Sequence, residues 1–483
     1  MQYFEVAMNK EKQNKKVTSI ERTESTPSDL AFSDSEIYHG SHQDYADENI
    51  ILCSIFKQTL LPFLIAGFGQ ICSGLFFERA QHWSFFLQVP EVFVLVPALL
   101  GLKGNLENTY ASRFCTMSNA GLTDKWEEVF VIVRFNLFLI QLQSIVLSLV
   151  ASVLSIAVSL INCDLKQSHA WVIISSGMYT AVLSSFVVGF MMVITVTCIR
   201  RRGIDPDNIA APLTASFSDF ITLIILIGTG MLVIYFSSQN LHIFAILSIL
   251  LLLCMVPFLA YGASKETHTR EILKKGWFAQ IAAILVGCFS GILLQSAVII
   301  FPGIAALHPL ITGLGGNRVS VQCSRLSTAL HLSLIGLGNL PAGTTIWTYL
   351  NPMRFFCLQH LDSKVALLLI VTAIPYNFLF VIIVIFTAKN VDFSWILVGT
   401  YIAVAFIQAV VLFYFCQVTV YWLWWCRMDP DNNSIPLLTS VGDLLGIGLL
   451  YSLFILLNNF APSTIRYERF KTMNQTRKCG TDF

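Results

Sequence analysis

The chain has 483 residues, 55% of them hydrophobic and 12% charged, with a mean hydropathy of +0.68 and a formal net charge of +1. Soluble domains carry about 25% charged residues, so composition excludes an ordinary soluble protein and points to an all-α polytopic membrane protein, and the near-zero net charge gives no sign of a nucleic-acid partner. Twelve cysteines are scattered singly, several inside apolar runs (Cys72, Cys198, Cys254, Cys288, Cys416), a pattern that is neither a disulfide framework nor a zinc site.

Residues 1–50 are polar and rich in Ser, Thr, Glu and Lys. They lack the apolar core of a cleavable signal and the Arg-rich amphipathic pattern of a mitochondrial presequence, and read as a disordered cytoplasmic tail. The plasma membrane is therefore the expected location, with an inner organelle membrane as the alternative. A spanning helix needs about 20 mainly apolar residues. Eleven segments meet that length: 53–77, 91–118, 129–162, 170–199, 209–236, 242–263, 277–301, 304–330, 365–388, 394–425 and 435–460. The second and the eighth are polar enough to escape a hydropathy scan.

Basic residues in short loops mark the cytoplasmic side. They cluster at Arg200, Arg201 and Arg202, at Lys265, Arg270, Lys274 and Lys275, and at Arg427, and with eleven spans and an inner N-terminus all of these are cytoplasmic. The C-terminus is then outside, where Asn474-Gln475-Thr476 forms a sequon, but the basic tail RYERFKTMNQTRKC argues for ten spans with both ends inside.

The chain also repeats itself. GLKGNLENTYASRFCT at 101–116 aligns without gaps to GLGGNRVSVQCSRLST at 313–328, with seven identities in sixteen. DPDNIAAPLTASFSD at 205–219 aligns to DPDNNSIPLLTSVGD at 429–443, matching Pro212 with Pro436, Ser216 with Ser440 and Asp219 with Asp443. The expected organisation is a tail (1–50), a five-helix repeat (51–237), a linking transmembrane helix with its cytoplasmic loop (238–275), a second five-helix repeat (276–461) and a tail (462–483). Five helices would invert the second repeat; the linking helix restores a parallel pair, an arrangement used by transporters.

Both motifs carry polar chemistry into the bilayer. Pro212, Ser216 and Asp219 fall at i−7, i−3 and i on one helix face, as do Pro436, Ser440 and Asp443. A carboxylate at the bilayer centre costs roughly 2.5–3.5 kcal/mol on insertion scales, and such groups usually mark ion pathways. Parallel pseudo-symmetry brings Asp219 and Asp443 face to face, where their mutual repulsion calls for a cation between them. Mg2+, which keeps its waters and takes one or two carboxylates, suits that place. A single such Asp reads equally as a residue reaching the interface; two at matching repeat positions do not.

On the other motif, Gly101, Gly104, Gly313, Gly315 and Gly316 permit close helix approach and exposed carbonyls, or serve packing alone. Asn105 and Ser112 share a face, repeated by Asn317 and Ser324; Lys103 and Glu107 stand i, i+4 and are expected to pair; Arg113 and Arg325 are expected to anchor at the cytoplasmic interface.

The segments VPALLGLKGNLENTYASR, ITGLGGNRVSVQCSRLST, DPDNIAAPLTASFSDFITL and DPDNNSIPLLTSVGDLLG, with FGQICSGLFFERAQHW and ILKKGWF, resemble solute carrier family 41, the eukaryotic relatives of the bacterial MgtE magnesium transporters. The resemblance implies a transporter of divalent cations, Mg2+ above all, in which Na+ serves as a coupling ion in an exchange mode. It implies a pore that one chain builds alone from two MgtE-like halves, with Asp219 and Asp443 as the pore carboxylates and Asn105 and Asn317 on the neighbouring pore helices. Arg318, Asn108 and Ser218 depart from the pattern, which leads one to expect an aliphatic residue, a bulky apolar residue and glycine there. Arg318, beside Asn317, motivates a second reading, a transport-inactive regulatory subunit. A third, an intramembrane aspartyl protease, lacks its signature: Phe217-Ser218-Asp219 and Ser440-Val441-Gly442-Asp443 stand where Tyr-Asp and Gly-x-Gly-Asp are needed.

Overall fold

The structure is a computed structural model, and the residues described run from 42 to 460, apart from short connections at 82, 90, 120–125, 163–166, 203–205, 207–208, 238–241, 334, 341–342, 357–359 and 389–390. The expected tails and the Asn474 sequon lie outside them. Every regular element among the described residues is helical. In chain order these are α1 (His42–Ala80), α2 (Ser84–Gln88), α3 (Val92–Asn119), α4 (Trp126–Asn162), α5 (Gln167–Arg201), α6 (Ala210–Ser237), α7 (His242–Ala263), α8 (Thr267–Lys275), α9 (Trp277–Ile300), α10 (Ile304–Leu332), α11 (Ile346–Leu350), α12 (Pro352–Phe356), α13 (Leu361–Thr387), α14 (Trp395–Trp425) and α15 (Pro430–Phe460). Nine of them are long and apolar enough to cross a bilayer. The other two long helices, α3 and α10, have 28 and 29 residues and are almost wholly buried, so their Asn, Ser, Thr and Arg side chains face protein rather than lipid. This is a multi-pass membrane protein.

The short helices α2, α8, α11 and α12 are additions to the expected spans. Helix α15 starts earlier than hydropathy suggests because proline is well placed in a first turn. Asp429 precedes Pro430, and its carboxylate accepts from the Asp431 amide at 3.1 Å, capping the helix.

The first helix of each half crosses to the pore helix of the other. Helix α1 packs on α6 and α10, and α9 packs on α15 and α3 in the same manner. Glycine allows both crossings. A Cβ on Gly74 would lie 2.6 Å from the Ala306 carbonyl oxygen, and one on Gly291 would lie 2.9 Å from that of Val94, so only glycine admits these backbones so close. Val94 and Ala306 are 212 residues apart, as are Pro97 and Pro309, the prolines that the same two glycines face. The linking helix α7 lies against α4 and α5 on the outside of the first half.

A candidate cation site between the two halves

Helices α3, α6, α10 and α15 surround a cavity of about 70 Å3. Roughly 10–15 Å3 of such space holds one water, so the cavity has room for an ion with part of its hydration shell. Asp219 from α6 and Asp443 from α15 both line it. Gly101, Gly104 and Asn105 line it from α3, and Gly313, Gly316 and Asn317 from α10. Small residues on the two polar helices thus leave room where the carboxylates need it. Ser73 and Ser290, each preceding one of the crossover glycines, complete the symmetric part of the wall.

The two carboxylates have unequal surroundings. Gln70 Nε2 donates to Asp219 Oδ2 at 3.0 Å. The equivalent place on α9 is Gly287, counting from the Ser73–Ser290 match. Asp443 has no hydrogen-bonding side-chain partner among the described residues; a Cβ at Gly101 would stand 3.4 Å from its Oδ2. Asn105 Oδ1 accepts a short hydrogen bond from the Thr439 hydroxyl, whereas the amide nitrogen of Asn317 is buried without a partner. Thr439, Thr312, His308 and Asn108 also line the cavity and break its symmetry. The site therefore offers two carboxylates, three carboxamides and hydroxyls, an oxygen-rich set that suits a hard cation.

Other candidate residues lie elsewhere. The Ser440 hydroxyl donates to its own helix, at 2.8 Å to the Pro436 carbonyl, and Thr439 lines the cavity in its place. Pro436 is buried within α15, while the side chains of Pro212 and Ser216 lie outside the described residues. Gly315 packs on Gln408. Lys103 and Glu107 pair at 3.0 Å as expected, both buried inside the first half, where Lys103 also donates to Ser185. Arg113 corrects an expectation: it is 3% exposed, so it does not anchor at the interface, and its Nε donates to the Thr109 carbonyl at 3.3 Å. Arg318 is buried on the side of α10 away from the cavity, stacked over Phe63 and Tyr376 at 4.7 and 5.1 Å.

Toward the C-terminal ends of α3 and α10 the two helices meet through contacts between repeat mates. The hydroxyls of Ser112 and Ser324 lie 3.1 Å apart, and those of Thr116 and Thr328 lie 3.2 Å apart. Asp431 accepts from Ser112 at 2.6 Å and from Thr116 at 3.0 Å, tying α15 to α3. Ser112 and Ser324 thus meet each other away from the cavity and do not line it. Sequence reasoning missed Gln70, His308, Thr439 and Asp431. The Ser-Gly pairs 73–74 and 290–291 were a legible signal that the first helices also repeat.

A family model described as MgtE, divalent cation transporter, matches residues 96–229 and again 308–453. Solute carrier family 41 member 3 of Mus musculus is 35% identical over 88% of this chain and 88% of its own length. Solute carrier family 41 member 2 of Xenopus laevis is 38% identical over 86% of this chain and 73% of its own. Among solved structures, the eukaryotic MATE transporter AtDTX14 aligns over 87% of this chain and 98% of its own at 13% identity, with a TM-score of 0.29 that carries no weight.

Proposed function

The chain belongs to solute carrier family 41, within the MgtE divalent cation transporters, and from that premise we propose that it carries Mg2+ across the membrane through the cavity between Asp219 and Asp443. One observation carries the proposal: two repeat-related carboxylates line one cavity large enough for a partly hydrated ion. Without a cation their charges oppose each other in a poorly solvated place; with one, each charge stabilises it. Mg2+ bound through two carboxylates, with its remaining ligands water and amide oxygens, would need to shed little of its shell. The hydroxyl contacts at Ser112 and Thr116 would then hold the cytoplasmic end shut while the ion site is loaded from the other side.

On this reading the chain works as a fused pseudo-dimer and needs no second copy to complete the site. Exchange against Na+ is the coupling mode that we propose for it, and the plasma membrane the place. The transport-inactive reading rested on Arg318 standing in the pathway, and its guanidinium faces away from the cavity. The test is Mg2+ flux into proteoliposomes containing the purified chain, with and without a sodium gradient. Flux that follows the gradient supports exchange, flux indifferent to it supports a uniport, and no Mg2+ flux in either condition rejects the proposal.

A further inference from the structure

One group in the cavity wall has no place in an all-oxygen site. His308 lines the cavity from α10. The residue at the equivalent place on α3, 212 positions earlier, is Val96, packed among apolar side chains of the first half. His308, Thr312 and Gly316 recur every four residues and all line the cavity, so they share the face of α10 turned toward it. His308 is 7% exposed, and no hydrogen bond or ion pair to its ring occurs among the described residues. A buried polar group without a partner is costly, so the imidazole takes its partner from the cavity. The α1 crossing fixes the backbone that carries it: a Cβ on Gly74 would lie 3.4 Å from Cδ of Pro309, the next residue.

Water alone would satisfy the imidazole but would leave Asp219 and Asp443, on the same wall, without a counter-charge. Mg2+ answers the carboxylates and gains little from nitrogen, because it takes oxygen ligands and keeps several waters. A borderline transition metal such as Zn2+ bonds imidazole and carboxylate alike.

We propose that His308 makes this cavity a site for divalent transition-metal ions of the Zn2+ class, held in preference to Mg2+. The inference rests on the cavity being the cation site and names the ions that compete for it. Among the described residues, a histidine and two carboxylates converge tightly enough to form a ready-made three-ligand site only at His331, Asp429 and Asp431. In the cavity the ion therefore bonds the His308 ring directly and meets the carboxylates in part through its own waters.

The test is equilibrium dialysis of the purified full chain in detergent against Zn2+ and, separately, Mg2+. Thiols are first blocked with N-ethylmaleimide, because Cys53, Cys72, Cys198, Cys254 and Cys426 are exposed. The wild type should bind Zn2+ more tightly than Mg2+. His308→Val, which copies the first half, should lower Zn2+ affinity by roughly tenfold or more, since even outer-shell partners of a metal act on that scale, and should lower the ratio of Zn2+ to Mg2+ affinity with it. His308→Gln, which keeps a polar end in the cavity, should do the same if valine disturbs the packing. An Asp219→Asn, Asp443→Asn variant should lose both metals. Zn2+ binding that survives in both His308 variants overturns the proposal, and its loss in His331→Asn would then place the metal at the other cluster. If that binding still needs the two aspartates, the cavity remains the cation site and only the role of His308 falls. Binding of both metals that is indifferent to the aspartates overturns the cavity reading as well. No preference for Zn2+ in the wild type also overturns the proposal.

Discussion

The hydroxyl of Ser112 lies 3.1 Å from that of Ser324, its own counterpart 212 residues later. Residues that are equivalent in two halves of a chain meet only on the axis relating those halves, so this contact locates the axis between α3 and α10. Thr116 and Thr328 repeat the relationship one turn further on, and the cavity lined by Asp219 and Asp443 lies toward the N-terminal ends of α3 and α10 from both pairs.

Cross-linking this pair should lock the closure. In Ser112→Cys, Ser324→Cys, two thiols that replace hydroxyls in contact are within reach of a disulfide. Oxidation should abolish Mg2+ flux, reductant should restore it, and neither single cysteine should respond. Flux that continues in a fully cross-linked protein would show that ions do not pass between these helices.

Alanine at the crossover glycines should destabilise the fold equally from either half. Gly74→Ala and Gly291→Ala each force a methyl to within 3.0 Å of a backbone carbonyl, an overpacking cost of about 1–3 kcal/mol. Similar drops in melting temperature in detergent are expected, with no such drop for Gly104→Ala, whose added methyl would meet nothing within 4 Å.

Lys103 and Glu107 should behave as a unit. Breaking a buried pair by removing one partner costs about 3–5 kcal/mol, whereas replacing both by apolar residues is often neutral. Lys103→Met and Glu107→Leu should each reduce the yield of folded protein, and the double variant should recover most of it. Recovery of folded protein without flux would give the pair a part in transport beyond holding α3 in place.

Several features were legible in the sequence because the chain wrote them twice. Asp219 and Asp443, Asn105 and Asn317, and the glycines around them could be found by aligning one half to the other, and the polar helices α3 and α10 emerged from that alignment where hydropathy fails. What broke the symmetry was hidden for the same reason. Gln70 has no counterpart amide, and its partner Asp219 is 149 residues away. Thr439 sits one residue before the repeated Ser440, so pattern matching chose a hydroxyl that does not line the cavity. Arg113 read as an interfacial anchor because helix position says nothing about what packs over a side chain, and here Tyr110 and the start of α15 cover that end of the bundle. The Ser112–Ser324 and Thr116–Thr328 contacts join the two halves, and no single segment reveals them.

The central claim is that one divalent ion is held by Asp219 and Asp443 together. Its most direct test is Mg2+ flux in proteoliposomes for the wild type, Asp219→Ala, Asp443→Ala and the double variant, at matched amounts of folded protein. If the two carboxylates share one ion, each single variant loses nearly all flux and the double variant is little worse than either. Wild-type flux in the double variant would contradict the account.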